Sequence, residues 1–413
     1  MNGMKHIVVL TNWYYPVMGG PSTVFDRYIQ ALKEDYIFHV ITKTNEYAFD
    51  ENKDIDIQYI TSFRHRLFQW CLYNIKSNKH VFVAKVLLLA IRLCMVIQTQ
   101  YSFPNSRKWE INEYYRLMDK KFLMHPFDTV IAVSDNFVIQ MAALKFKRKH
   151  PEVKWISFIL DPYSVFYIYY ERKLFKSLWE KANFRKEREI YNVADYCMFT
   201  PEMLRYVKSA FTLDKKKIFP INFSLNNELE AISSDMANNV CKLVFAGMVY
   251  KDIRNPEFML NVLSKIEAIQ VDLYIKERSE CEDILSKYNS EIIHRNMFVD
   301  RAKYIEMIRS TYDILINIGN ISSLQSPSKT LELLSTGKPI INFYFENDSQ
   351  YAMIDRYPLG LNIKNGEENA VEKVSAFCRE MKGKRIPFCE VEKLYPENNL
   401  QKQVELLKSL IEA

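Results

Sequence analysis

The sequence predicts an α/β protein of two Rossmann-like domains, and three observations predict it. Apolar runs such as Lys5–Thr11 lack polar alternation, as parallel strands covered on both faces do. These runs alternate with helical segments, so strand, turn, helix and strand follow one another over 5–42 and again over 313–345. At 413 residues the chain exceeds one ordinary core and suits two domains of roughly 200 residues each. Residues 222–239, polar and rich in Ser and Asn, read as the linker between a domain over 1–222 and one over 240–394.

Composition narrows the class. The net charge of +6 is too weak and too scattered to argue for nucleic acid, but it suits docking on an anionic membrane. The seven cysteines form no C-x-x-C pair, and no His stands at ligand spacing to them. They read as reduced thiols of a cytosolic protein without a zinc site. Asp54-Ile-Asp56 has the spacing of a cation-binding carboxylate pair, but its charged flanks read as a solvated loop and edge, so no metal is expected there.

In chain order, Lys5–Thr11 is a strand and Asn12–Ser22 a turn carrying Gly19-Gly20. A helix with Val24, Tyr28, Ile29 and Leu32 follows, then a strand over Ile37–Thr42. The turn is not G-x-G-x-x-G, so the dinucleotide fingerprint is absent. Val81–Ile97 is apolar except for Lys85 and Arg92. Its length barely reaches a membrane span, and each basic residue at its centre would cost roughly 2.5–3.5 kcal/mol. It reads as a core helix or as one resting on a membrane surface. Phe127–Val133 and Trp155–Pro162 are strands, the second closing on Asp161, which either points into the crevice of an open sheet, as an acid at a strand's C-terminal end can, or serves as a helix cap or turn residue. A helix is expected over Tyr163–Arg188, then a strand over Ala194–Thr200 and a helix over Met203–Phe211. In the second domain Cys241–Gly247 is a strand ending in glycine, and Arg254–Glu257 starts a helix. Strands follow at Val271–Lys276 and Met297–Arg301, and Tyr395–Ala413 is one amphipathic helix.

The most informative run is Ser326–Asn342. Ser326 can cap a helix, Pro327 suits its first position, and Gly337 suits the residue past its end. The helix opens from a buried strand over Asp313–Ile318 and leads to Pro339–Phe345. Its free N–H groups therefore face the crevice, where they suit phosphate. Lys329 lies in the first turn, where a cation opposes the helix dipole, so an anion explains it better than structure does. Glu332 lies one turn on, where a carboxylate needs donors such as sugar hydroxyls; spacing alone equally fits an ordinary capped helix with a surface Lys and Glu.

This run resembles the P-S-K-x-x-E-x-x-x-x-G-K-P signature of GT-B glycosyltransferases of the family 4 type, and Tyr14-Tyr15-Pro16 before Gly19-Gly20 is similar to their first turn. The resemblance implies two Rossmann-like domains facing across a cleft, with the last helix, 395–413, crossing back to the first domain. It implies that Ser328, Lys329 and Thr330 lie at the donor diphosphate, that Glu332 binds the ribose, and that Gly19 and Gly20 let the backbone approach phosphate. Gly247, with Arg254 or Lys251, resembles the family's diphosphate-gripping G-R-x-x-x-x-K-N element, and Asp161 resembles the acceptor-side acid. Met248, Leu324 and Leu160 depart from the pattern toward apolar residues. The expected activity is metal-independent, retaining transfer from a nucleotide-diphosphate sugar, with no cofactor. The expected catalytic residues are Asp161, Lys329 and Arg254. The acceptor would be a saccharide or polyprenyl-linked molecule in bacterial capsule or O-antigen synthesis, met in the cytoplasm or at the inner face of the plasma membrane. A non-catalytic relative acting as an assembly partner and a GT-B nucleotide-sugar epimerase are the alternatives.

Overall fold

The computed structural model describes the chain apart from residues 1–2, 16–19, 44–54, 61–62, 102–107, 135–136, 161–162, 165–174, 233–239, 277–278, 322–327 and 347. It divides into two compact units, Met1–Ile221 with Val404–Ala413, and Asn222–Gln403.

The first unit runs β1 (His6–Trp13), α1 (Gly20–Leu32), β2 (Ile37–Lys43), β3 (Asp56–Ile60), α2 (Phe63–Lys76), α3 (Val81–Tyr101), α4 (Lys108–Met124), β4 (Thr129–Ser134), α5 (Phe137–Lys149), β5 (Lys154–Ile159), α6 (Lys176–Val193), β6 (Tyr196–Phe199), α7 (Pro201–Ala210) and β7 (Ile218–Pro220). Its strands are all parallel, in the order β3-β2-β1-β4-β5-β6-β7. Ile7 to Leu10 are almost completely buried, as expected of a central strand covered on both faces.

The second unit runs β8 (Cys241–Ala246), α8 (Glu257–Leu263), β9 (Ile269–Tyr274), α9 (Glu282–Leu285), β10 (Ile293–Asn296), α10 (Arg301–Ser310), β11 (Ile314–Ile318), α11 (Ser328–Leu334), β12 (Ile340–Tyr344), α12 (Ser349–Asp355), β13 (Gly360–Lys364), α13 (Ala370–Met381), α14 (Phe388–Leu394) and the start of α15 (Leu400–Glu412). Its parallel sheet has the order β10-β9-β8-β11-β12-β13. Each sheet reverses its winding once, between β1 and β4 and between β8 and β11, and the carboxyl edge there is where ligands of open α/β sheets bind.

Several expectations shift. The helix expected over 163–188 is α6, which starts at Lys176 and reaches Val193. The strand expected at 297–301 lies earlier, as β10, and Asp300 instead caps α10 by accepting from the Lys303 N–H at 2.9 Å. The segment expected as one helix from 395 is broken: Pro396–Asn398 forms a 3-10 turn, and Asn399 accepts from the Lys402 N–H at 3.1 Å to start α15. Residues from Val404 on then join the first unit, where Lys154 donates to the carbonyls of Leu410 and Ile411 at 3.1 and 2.7 Å. Within 222–239, expected as linker, Leu225 and Leu229 are buried in the core of the second unit.

The core-helix reading of Val81–Ile97 fails. Ala84, Leu88 and Ile91 pack with Cys71 of α2 in a small separate core, while Phe82, Leu89, Leu93, Val96 and Ile97 are exposed.

Candidate functional site

The second sheet positions the site through a polar ladder inside its core. Asn317, Asn342 and Asn362 stand in register on β11, β12 and β13. Asn317 donates to Asn342 at 2.8 Å, and Asn342 donates to Asn362 at 2.8 Å. Asn317 also donates to Gln350 Oε1 at 3.0 Å, which accepts from the Thr330 hydroxyl at 3.2 Å. A buried amide is costly unless paired, so this chain of donors and acceptors fixes where α11 sits on the sheet. Thr330 is completely buried, so it anchors the helix from inside rather than facing a ligand.

At the other end of α11, Gly337 adopts φ +71°, and a Cβ there would stand 2.0 Å from the Ile386 carbonyl oxygen. Only glycine fits, and it terminates the helix as the sequence indicates.

With α11 held, Lys329 meets α10. Its ammonium lies 3.8 Å from the centre of the Tyr304 ring, donates to the Tyr304 hydroxyl, and stands 3.3 Å from Glu332. Glu332 also accepts from Arg301 at 2.9 Å. Burial pushes the Glu332 carboxyl up, but Lys329 and Arg301 outweigh it and hold it below the ordinary carboxylate range. Burial raises the Tyr304 hydroxyl, so it stays neutral and serves as a fixed support for the lysine. Lys329 and Glu332 are 29% and 24% exposed at their side chains, so both are partly sheltered yet reachable. Ser328, at the start of α11, is exposed.

The neighbouring loop after β8 brings a third cation to the same edge. Arg254 donates through Nε and Nη2 to Asn320 Oδ1, at 3.1 and 2.8 Å, just past the end of β11. The backbones of Tyr250 and Arg254 pair, and Ile321 N–H donates to the Ile253 carbonyl at 2.8 Å, so the two loops at the winding reversal are tied together. Burial lowers the Arg254 pKa from its ordinary value, which leaves the group a cation at neutral pH. Gly247 lies beside the guanidinium, and a Cβ there would meet the Phe245 ring at 3.5 Å and Arg254 Nη1 at 3.9 Å, both ordinary contacts, so the space does not demand glycine. Lys251 turns elsewhere: it pairs with Asp283 at 2.8 Å on the surface.

No family model matches the sequence, and no curated protein matches it. Solved structures match along the whole chain. A glycosyltransferase from Rickettsia africae has a TM-score of 0.66 at 10% identity, covering 99% of this chain and 98% of that one. HepE from Anabaena, solved with UDP and glucose, has a TM-score of 0.63 at 8% identity, covering 99% of both chains. WaaG, a glycosyltransferase involved in lipopolysaccharide biosynthesis, has a TM-score of 0.59 at 11% identity, covering 98% of this chain and 99% of that one. The chain has the GT-B fold.

In this GT-B chain the first unit presents its own carboxyl edge. Gly20 opens α1 with open space around it. Before the turn, Tyr14 donates to Asp26 at 2.5 Å and Tyr15 to the same carboxylate at 3.5 Å. Gly19 and Asp161 lie outside the described residues. Just after Asp161, the N–H groups of Tyr163 and Ser164 donate to Glu187 at 3.1 and 3.2 Å, as do the Ser164 hydroxyl and Tyr191 at 2.6 Å. Burial raises the pKa of this enclosed carboxyl against those four donors. Of the three apolar departures, Leu160 is buried, Met248 is exposed, and Leu324 lies outside the described residues.

Sequence reasoning missed Arg301, Tyr304, Asn320, Asp26 and the asparagine ladder. Arg301 carried a usable signal: like Lys329 it is a cation in the first turn of a helix with no acid there. The ladder carried another, an amide in the middle of each of three apolar strands.

Proposed function

We propose that this chain is a retaining glycosyltransferase that moves a sugar from a nucleotide-diphosphate donor to a saccharide or polyprenyl-linked acceptor. The observation that carries the reading is the Lys329–Glu332–Arg301 cluster on the carboxyl edge of the second unit, with Arg254 set at the winding reversal of the same sheet. Three cations against one carboxylate leave a local excess of positive charge, which suits a diphosphate. The acceptor hydroxyl attacks the anomeric carbon as the bond from that carbon to the β-phosphate oxygen breaks, and the hydroxyl proton passes to an oxygen of the departing phosphate. The bonding pair leaves with the diphosphate, and Lys329 and Arg254 stabilise the charge that develops there. Arg254 suits this because its fork can hold Asn320 and still present N–H groups to phosphate. Glu332 exchanges its Lys329 contact for ribose hydroxyls. Asp161 orients the acceptor hydroxyl on the same face as the departing group, which retains the anomeric configuration without a covalent intermediate. Lys329, Arg301 and Arg254 supply the positive charge that the diphosphate needs, so the reaction is expected to run without a metal or cofactor.

HepE was solved with UDP-glucose, so UDP-sugars are the first donors to test. A role in bacterial capsule or O-antigen synthesis, in the cytoplasm at the inner face of the membrane, fits the basic, aromatic stretch near 63–100. The test is a thermal-shift panel of UDP-, GDP-, ADP- and CMP-sugars, followed by NMR of the product's anomeric proton. One donor class is expected to raise the melting temperature, and the product should keep the donor's configuration. No stabilisation by any nucleotide sugar overturns the reading, and inversion overturns the retaining mechanism.

A further inference from the structure

We infer that the α2–α3 hairpin is a docking element for an anionic lipid surface, lying in the plane of the interface. This deepens the membrane part of the function proposed above and does not depend on the donor chemistry.

Three observations carry it. First, α3 has two apolar faces. Ala84, Leu88 and Ile91 pack on α2, whereas Phe82, Val86, Leu89, Leu93 and Val96 form an outward stripe with 4-3-4-3 spacing. Phe82 is 81% exposed, Leu89 and Val96 60%, and Leu93 56%. The fourteen helical steps from Phe82 to Val96 make this stripe about 21 Å long, well beyond a singly exposed leucine.

Second, the charge is one-sided. From Ile57 to Trp109 the sequence has eight Lys or Arg and no Asp or Glu. That stretch carries +8 where the whole chain carries +6, so the remainder is −2. Lys76, Lys79, Lys85 and Arg92 are all exposed. Lys85 and Arg92, two helical turns apart, run along one border of the stripe, where long side chains can reach headgroups while the apolar face is buried.

Third, among the described residues no helix is long and apolar enough to cross a membrane, which leaves in-plane seating for α3. Charge also decides between occupants. A second copy of this chain would bring like charges together along the stripe, with no carboxylate in the region to offset them. An anionic bilayer complements both the apolar stripe and its cationic border.

The experiment is flotation of the full chain with phosphatidylcholine vesicles, with and without phosphatidylglycerol, at low and high salt. The expected result is co-flotation only with the anionic vesicles, reversed by salt. Lys85→Ala with Arg92→Ala should lower partitioning roughly ten- to thirtyfold. Leu89→Ser with Leu93→Ser should abolish it, while melting temperature and nucleotide-sugar binding in lipid-free buffer stay at wild-type values. Equal flotation with neutral vesicles, or none with either, overturns the inference. So does a wild-type dimer in sedimentation that the Leu89→Ser, Leu93→Ser variant turns into a monomer without any vesicle binding. Because nucleotide-sugar binding is measured without lipid, failure of docking and failure of the donor reading give different results.

Discussion

Replacing Lys329 with alanine probes the phosphate-facing charge while leaving its frame in place. In the free protein the ammonium sits over Tyr304 and 3.3 Å from Glu332. Both side chains of that ion pair are about a quarter exposed, so solvent screens it and it contributes no more than about 1 kcal/mol. The contact with the Tyr304 ring adds about 0.5–1 kcal/mol. Arg301 remains 2.9 Å from Glu332, so the carboxylate keeps a partner after the substitution. The fold should therefore lose about 1–2 kcal/mol, a melting shift of only a few degrees for a unit of this size. Donor binding should lose more. A charge-assisted hydrogen bond to a diphosphate oxygen is worth about 1.5–3 kcal/mol, or roughly ten- to 150-fold in Kd. Isothermal titration with the donor class found in the panel, beside unliganded melting curves, separates the two effects. An affinity within about threefold of wild type would refute the assignment of Lys329 to phosphate.

Three further predictions follow from the same geometry. Arg301→Ala should weaken donor binding by roughly tenfold and leave Glu332 paired only with Lys329; an unchanged Kd in the same titration would remove Arg301 from the site. Asn317→Leu deletes two buried donations and strands the Asn342 acceptor, so about 2–4 kcal/mol of stability should vanish in urea unfolding; a loss below about 1 kcal/mol would count against the ladder as the anchor of α11. Lys338 is buried, and its ammonium donates to the Tyr312 carbonyl at 2.5 Å. Burial lowers its pKa to about 8, below the usual lysine value. The unfolded chain therefore binds the proton more tightly, and stability should rise with pH between about 8 and about 10.5, by up to about 1.4 kcal/mol per pH unit. Lys338→Met should remove that slope, so the difference between wild type and variant unfolding at pH about 8 and about 10 is the measurement; parallel curves would refute it.

Much of the fold was legible because its signals are local. A strand buried on both faces must be apolar throughout, so β1, β8, β11 and β12 announce themselves. The end of α11 was legible because only glycine tolerates the conformation and close approach at Gly337. α15 began later than expected for a local reason too, since Pro396 and the Asn399 cap compete with a single helix running from 395.

The sequence by itself determined the alternation of strands and helices, the end of α11 set by Gly337, and the anomaly of a cation at the head of α11. Tertiary structure alone decided that Tyr304 and Arg301 flank Lys329, that Asn320 receives Arg254, and that three asparagines on separate strands meet in register. It also decided that one face of α3 stays uncovered. The reason is physical: helix and strand periodicity say which residues share a face. What covers that face depends on crossovers that bring together segments tens of residues apart, and a run such as Val81–Ile97 is equally apolar whether another element packs on it or not.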